Sequence, residues 1–217
     1  KQSIYSGSYG YLEDNAHLQT ESFTLQCWIW STTPKTHPKY WKHGSQGLMA
    51  KWSNDKGYGL FINEDGCLEL RVNGKTVTTG APIRDHAWHF VAATYDAKTG
   101  EATIYHEPQI QYALDPEIPS VTVKLGEKIQ HTAGIPFTVA AYAGGFDKSP
   151  QAQASVPSGI LMSGHYNGKI DSPRLCNRAL SREEIETPSF WTNGSSCRLS
   201  YWFLGFFRWY KYLHWAR

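Results

Sequence analysis

The sequence predicts an all-β protein, an antiparallel sandwich or barrel with one short helix near its C-terminal end. Three observations carry this. Short runs of β-branched and aromatic residues recur at intervals of eight to fourteen positions between turn residues, as in many-stranded antiparallel folds. Phe23-Thr24-Leu25-Gln26-Cys27-Trp28-Ile29-Trp30 alternates with a period of two, placing Phe23, Leu25, Cys27 and Ile29 on one face. Helical signal is nearly absent elsewhere.

The elements follow in order. Tyr58 to Asn63, Glu64-Asp65-Gly66 and Cys67 to Val72 read as a hairpin, with Asp-Gly supplying a positive-φ turn. Asn73-Gly74 marks the next turn, into Thr76 to Thr79. Trp88 to Tyr95, Ala102 to His106, Val121 to Leu125 and Phe137 to Ala143 are further strands. Lys169 to Leu175 is another, and its Pro173 predicts an edge position or a bulge. Ser181 can cap a short helix over Ser181 to Ile185, with Glu184 at the capping-box position.

Composition limits the function classes. With 41% hydrophobic and 18% charged residues the chain buries a core rather than remaining disordered. No uncharged apolar run is long enough to span a bilayer, and Lys1 to Gly7 contains no apolar segment to serve as a signal peptide. A soluble chain is therefore expected, with its compartment left open. The segment 201–217 has its own statistics: nine of its seventeen residues are Tyr, Trp or Phe, and it holds Arg208, Lys211 and Arg217 with no acid. Residues 1–200 thus carry 18 − 19 = −1, which gives no support for a nucleic-acid-binding surface. One domain over 1–200 followed by a basic aromatic tail over 201–217 is the simplest division. The tail is too short to cross a membrane, and membrane anchoring is not expected. Cys27, Cys67, Cys176 and Cys197 lack zinc-type spacing and are expected as free thiols, Cys27 and Cys67 lying within apolar runs.

Catalytic constellations are missing from the sequence. It contains no E-x-D-x-E strand to place paired carboxylates for glycoside hydrolysis, no G-x-S-x-G elbow and no H-E-x-x-H pair. Gln130-His131 has the wrong spacing for a Gln-x-His lyase strand. His89 reads as a satisfied core imidazole, and Trp28 and Trp30 as core aromatics. The long connection from Pro34 to Gly47 holds Tyr40, Trp41 and His43, the candidate ligand-binding residues, which suit stacking on a sugar or contact with a polypeptide. A second long connection runs from Pro108 to Pro136.

Several motifs together resemble the laminin-G-like, concanavalin-A-like jelly roll. They are Phe23 to Ile29, Leu48-Met49-Ala50-Lys51 before Gly57-Tyr58-Gly59-Leu60, Trp88 to Asp96, Asn167 to Leu175, and Arg178-Ala179-Leu180-Ser181 before Glu184-Ile185. The resemblance covers about 20–187 and implies an antiparallel jelly-roll sandwich of the lectin/glucanase type; it says little about chemistry. Related jelly rolls often bind Ca²⁺ near the Asp171 motif, which makes Asp171 the one candidate metal ligand. An ion pair with Lys169 or Arg174 is the simpler reading, and no cofactor is required on this chain.

Thr103 to Pro108 and Asp171-Ser172-Pro173-Arg174-Leu175 are more specifically similar to the jelly-roll region of the N,N-dimethylformamidase large subunit. That family continues through L-x-x-x-W-D-F-S into a larger catalytic region, whereas this sequence continues Leu199 to Lys211. Suitable codons for Leu204-Gly205-Phe206-Phe207-Arg208, read one base later, encode Trp-Asp-Phe-Ser. A frameshifted or truncated end is therefore expected for the tail. The resemblance implies a non-catalytic accessory module, with a downstream catalytic region or another protein as partner. A carbohydrate-binding lectin-like module is the alternative, and a polysaccharide hydrolase or lyase a weaker one.

Overall fold

A computed structural model describes residues 9–35, 44–108, 120–126, 128–146, 160–186 and 214–216. The strands are β1 (Tyr9–Leu12), β2 (Phe23–Ser31), β3 (Gln46–Ser53), β4 (Lys56–Ile62), β5 (Cys67–Val72), β6 (Lys75–Pro82) and β7 (Trp88–Asp96). They continue as β8 (Glu101–Pro108), β9 (Val121–Lys124), β10 (Phe137–Val139), β11 (Tyr142–Phe146), β12 (Ile160–Ser163), β13 (Gly168–Cys176) and β14 (His214–Ala216), with helix α1 (Arg182–Glu186) between the last two. One sheet has the order β14-β1-β10-β3-β4-β5-β6 and the other β13-β2-β7-β8-β9, while β11 and β12 form a separate pair. All strand pairings are antiparallel. The expected sandwich is thus a jelly roll, and no described helix is long and apolar enough to cross a membrane.

Alternation in β2 builds the core. Phe23, Leu25, Cys27 and Ile29 are all buried between the sheets, together with Leu60, Leu70, Val91 and Ile104. Phe23 stacks on Tyr58 of the opposite sheet at 4.5 Å between ring centroids, and the Tyr58 hydroxyl donates to the Leu18 carbonyl. Burying one such side chain contributes roughly 1.5–3 kcal/mol, so this face of β2 alone orients the strand. The Asn73-Gly74 turn forms as expected, with both residues at positive φ (47° and 77°) between β5 and β6.

One expected strand needs revision. Phe137 to Ala143 is not one strand: Ala140, at φ 68°, breaks it, so β10 joins the large sheet and β11 turns to pair with β12. The Leu48 to Lys51 motif is the centre of a longer strand, β3, whose eight residues are all buried. Within it Lys51 is 2% exposed; its ammonium donates to Asp14 Oδ1 at 2.7 Å and to the Ile135 carbonyl at 2.6 Å. Of the 201–217 segment, the structure describes the pairing of β14 with β1. Cys27, Cys67 and Cys176 are buried free thiols.

Candidate functional site

The outer face of the five-stranded sheet is divided in two. Over one half lies the segment leading into α1. Thr24 on β2 accepts a hydrogen bond from the Leu180 N–H (2.9 Å) and donates one to the Arg178 carbonyl (2.8 Å). Leu180 and Ile185 pack on Ala92, Tyr105 and Cys176. The Ser181 capping box forms as its sequence spacing predicts, with Glu184 N–H donating to Ser181 Oγ and Ser181 N–H to Glu184 Oε2. Arg178 grips Glu184 through two nitrogens at 2.8 and 2.9 Å, and this contact is the main reason the Glu184 carboxyl is held below its ordinary range.

The other half carries aromatic residues in register. β13 pairs with β2, β2 with β7 and β7 with β8, so Asp171, Trp28, Phe90 and Glu107 fall in one row across the sheet. Lys169, Trp30 and Trp88 form the neighbouring row. Neighbouring strands lie roughly 4.8 Å apart, which makes these side chains direct cross-strand neighbours. Trp28 is 39% exposed and meets Phe90 at 5.5 Å with the rings tilted by 60°. Trp30 is half-buried; the Lys169 ammonium sits 4.9 Å from its ring centroid, and His86 meets it edge-on. At the far end of the first row Arg182 lies 3.4 Å from Glu107.

Trp28 and Trp30 are therefore not core residues. The period of two puts them on the face opposite Phe23, and neither belongs to the cluster that Leu180 and Ile185 form with Ala92, Tyr105 and Cys176. Phe90 and Trp88 escaped notice because their strand reads as core. Asp171 is exposed on the edge strand β13, with Ile170 packed inward beside it. It pairs with neither Lys169 nor Arg174. Among the described residues no three His, Cys, Asp or Glu side chains gather that could hold a metal ion. The bulge predicted from Pro173 is present, with the register shifting between Asp171 and Arg174 and Ser172 at φ 49°. Tyr40, Trp41 and His43 lie outside the described residues.

Two polar features lie elsewhere. His89 is buried between the sheets beside His106, a satisfied imidazole as its strand context implies. A cleft of about 540 Å³ at the end of the sheet is bordered by Lys98, Lys124, Lys128 and Glu21. Neither arrangement supplies a nucleophile with its base, or paired carboxylates at reacting distance. The exposed aromatic rows suit recognition rather than bond cleavage.

Comparison with known proteins agrees with this architecture. Residues 6–107, just under half of the chain, match the Laminin_G_3 model, described as the concanavalin A-like lectin/glucanases superfamily. The β subunit of N,N-dimethylformamidase from Alcaligenes sp is 24% identical over 209 residues, and that from Paracoccus aminophilus 28% over 198. These alignments take in 85% and 84% of this chain but 24% of each relative, so the chain spans about a quarter of the relatives it matches. A suggested carbohydrate-binding protein from Bacteroides ovatus superposes with a TM-score of 0.61 at 16% identity, covering 90% of this chain and 48% of that one. The CBM40 of a Ruminococcus gnavus sialidase, determined with α2,3-sialyllactose, gives 0.54 at 16% identity, covering 85% and 94%. At such identities these two structures speak for the fold alone. Strand order, family model and relatives converge: the chain carries a concanavalin A-like, laminin-G-like jelly roll related to a segment of the N,N-dimethylformamidase β subunits.

Proposed function

We propose that the chain is a non-catalytic accessory module of a dimethylformamidase-like protein, and that it packs through the outer face of the five-stranded sheet against another polypeptide region. The observation that carries this is Trp28, exposed and braced by Phe90, at the border of the patch that Leu180 and Ile185 cover. An aromatic anchor ringed by charged side chains is a common centre of protein interfaces. That the relatives match over a quarter of their length supports a module working within something larger. The test is a chimera in which this chain replaces the matched segment of the Paracoccus aminophilus β subunit. The chimera should assemble and keep dimethylformamidase activity, whereas a folded chimera that fails to assemble counts against the module.

Carbohydrate binding is the second reading, and the same ring favours it, since an exposed Trp beside a carboxylate can stack on a pyranose while hydrogen-bonding its hydroxyls. A glycan array run with and without EDTA separates the two. Sugar retention lost on Trp28→Ala selects the lectin-like role, and an empty array selects the accessory one.

A further inference from the structure

We propose that Trp28 and Asp171 form a socket for an arginine side chain of the polypeptide that packs on this face. The inference rests on the accessory reading and gives its interface a chemistry. It starts from a difference between the two aromatic rows. In one, β13 presents Lys169 opposite Trp30, and the ammonium lies over that ring. Two residues further along the same strand and on the same face, β13 presents Asp171 opposite Trp28. The aromatic surface repeats there while the charge beside it is reversed.

The first row is therefore complete within the chain, its cation supplied by Lys169. In the second row no cation of the described residues lies over Trp28, and the Asp171 carboxylate makes no hydrogen bond or ion pair with them. Phe90 braces Trp28 from the β7 side, and on the β13 side the exposed Asp171 stands opposite it, so an incoming group can meet the indole and the carboxylate together. A π-face and an unpaired carboxylate attract the same kind of ligand, a cation with an extended flat surface. Guanidinium meets both demands, because it stacks on an indole while its N–H fork pairs with a carboxylate. A lysine ammonium satisfies the charge but lacks the plane. The same face already holds a guanidinium beside an acid, Arg182 at Glu107, at the other end of the row. With residues 1–200 at −1, the chain offers little overall attraction for a polycation, so binding of one must come from a local site.

The test titrates a hexa-arginine peptide into the chain by calorimetry, with hexa-lysine and maltohexaose as comparison probes. Hexa-arginine should bind more tightly than hexa-lysine, and Trp28→Ala and Asp171→Asn should each weaken it about tenfold. Both side chains are exposed, and cooperative melting curves establish that the variants fold. Equal binding by wild type and both variants, no binding of hexa-arginine, or maltohexaose binding that Trp28→Ala abolishes overturns the socket. A second arm places Asp171→Asn in the chimera described above. Assembly equally resistant to salt with and without that substitution overturns the socket and leaves the accessory role standing. A chimera that fails to assemble even with Asp171 intact, while hexa-arginine keeps the expected ranking, overturns the accessory role and leaves the socket.

Discussion

His106 Nε2 lies 2.9 Å from His89 Nδ1, and both imidazoles are sealed between the sheets. The Arg84 carbonyl can only accept, so His89 Nε2 carries a proton and donates to it at 3.0 Å. His89 Nδ1 then accepts from His106 Nε2–H, and His106 Nδ1 is left as a buried acceptor without a partner among the described residues. A second proton on either ring would leave a buried N–H without an acceptor among the described residues. Burial holds His89 below its ordinary value, while burial and then the neighbouring His89 hold His106 down at about 3.

The pair makes the fold acid-sensitive. Between the unfolded value near 6.5 and the folded value near 3, the unfolded chain binds protons that the folded chain refuses. Stability is therefore complete above pH 6.5 and falls as pH drops through that window, by up to about 1.4 kcal/mol per pH unit for one such group. His131 and His165, also lowered chiefly by burial, add in the same direction. Urea midpoints measured from pH 7.5 to 4 should decline, and His106→Leu should flatten the decline. An unchanged slope in that variant would remove His106 from the account.

Lys51 and Asp14 give a second prediction. Burial alone would raise the Asp14 carboxyl, but the Lys51 ammonium and the Gly134 N–H outweigh it, and the net shift is downward. Asp14→Ala leaves a buried ammonium with one carbonyl partner and should destabilise by roughly 3–5 kcal/mol. Adding Lys51→Met should recover part of that loss, a coupling that a denaturation double-mutant cycle detects.

The clasp at Thr24 gives a third. Thr24→Val removes the acceptor for Leu180 N–H and the donor to Arg178, at a cost of about 1–3 kcal/mol. Hydrogen exchange should quicken at Leu180 and across α1 while the Val91 amide in β7 remains protected. Equal exchange in wild type and variant would mean that apolar contacts alone dock the helix.

A fourth compares the two faces of β2. Phe23→Ala should cost roughly 3–5 kcal/mol, since it empties a site stacked against Tyr58. Trp28→Ala should cost less, roughly 1 kcal/mol, because its ring is 39% exposed and lies outside the core between the sheets. Thermal melts of the two variants decide the comparison.

Where a local physical cause acts, the sequence can be read directly. The alternation of β2, the Asn73-Gly74 turn, the Ser181–Glu184 capping box and the Pro173 bulge each follow from neighbouring residues, and each is present. The break at Ala140 was hidden, because its positive φ is imposed by tertiary contacts, with Ala140 N–H donating to Leu48 and its carbonyl accepting from Tyr166. The aromatic rows were hidden for a related reason. A period of two separates the faces of a strand but does not say how far a five-residue helix will extend over one of them. Asp171 was legible as a special acid, while its place beside Trp28 depends on the pairing of β13 with β2.

The kink at Ser172 and Pro173 has a consequence for how other chains can approach. β13 is an edge strand, and an unbroken edge is a template on which a foreign strand can add. Proline has no N–H to offer, and the bulge throws its neighbours out of step, so this side of the sheet is blunted against strand addition and against stacking edge to edge in aggregates. The irregularity that interrupts the ladder thus guards the rim, and a visitor to Trp28 must come down onto the sheet from above rather than extend it sideways.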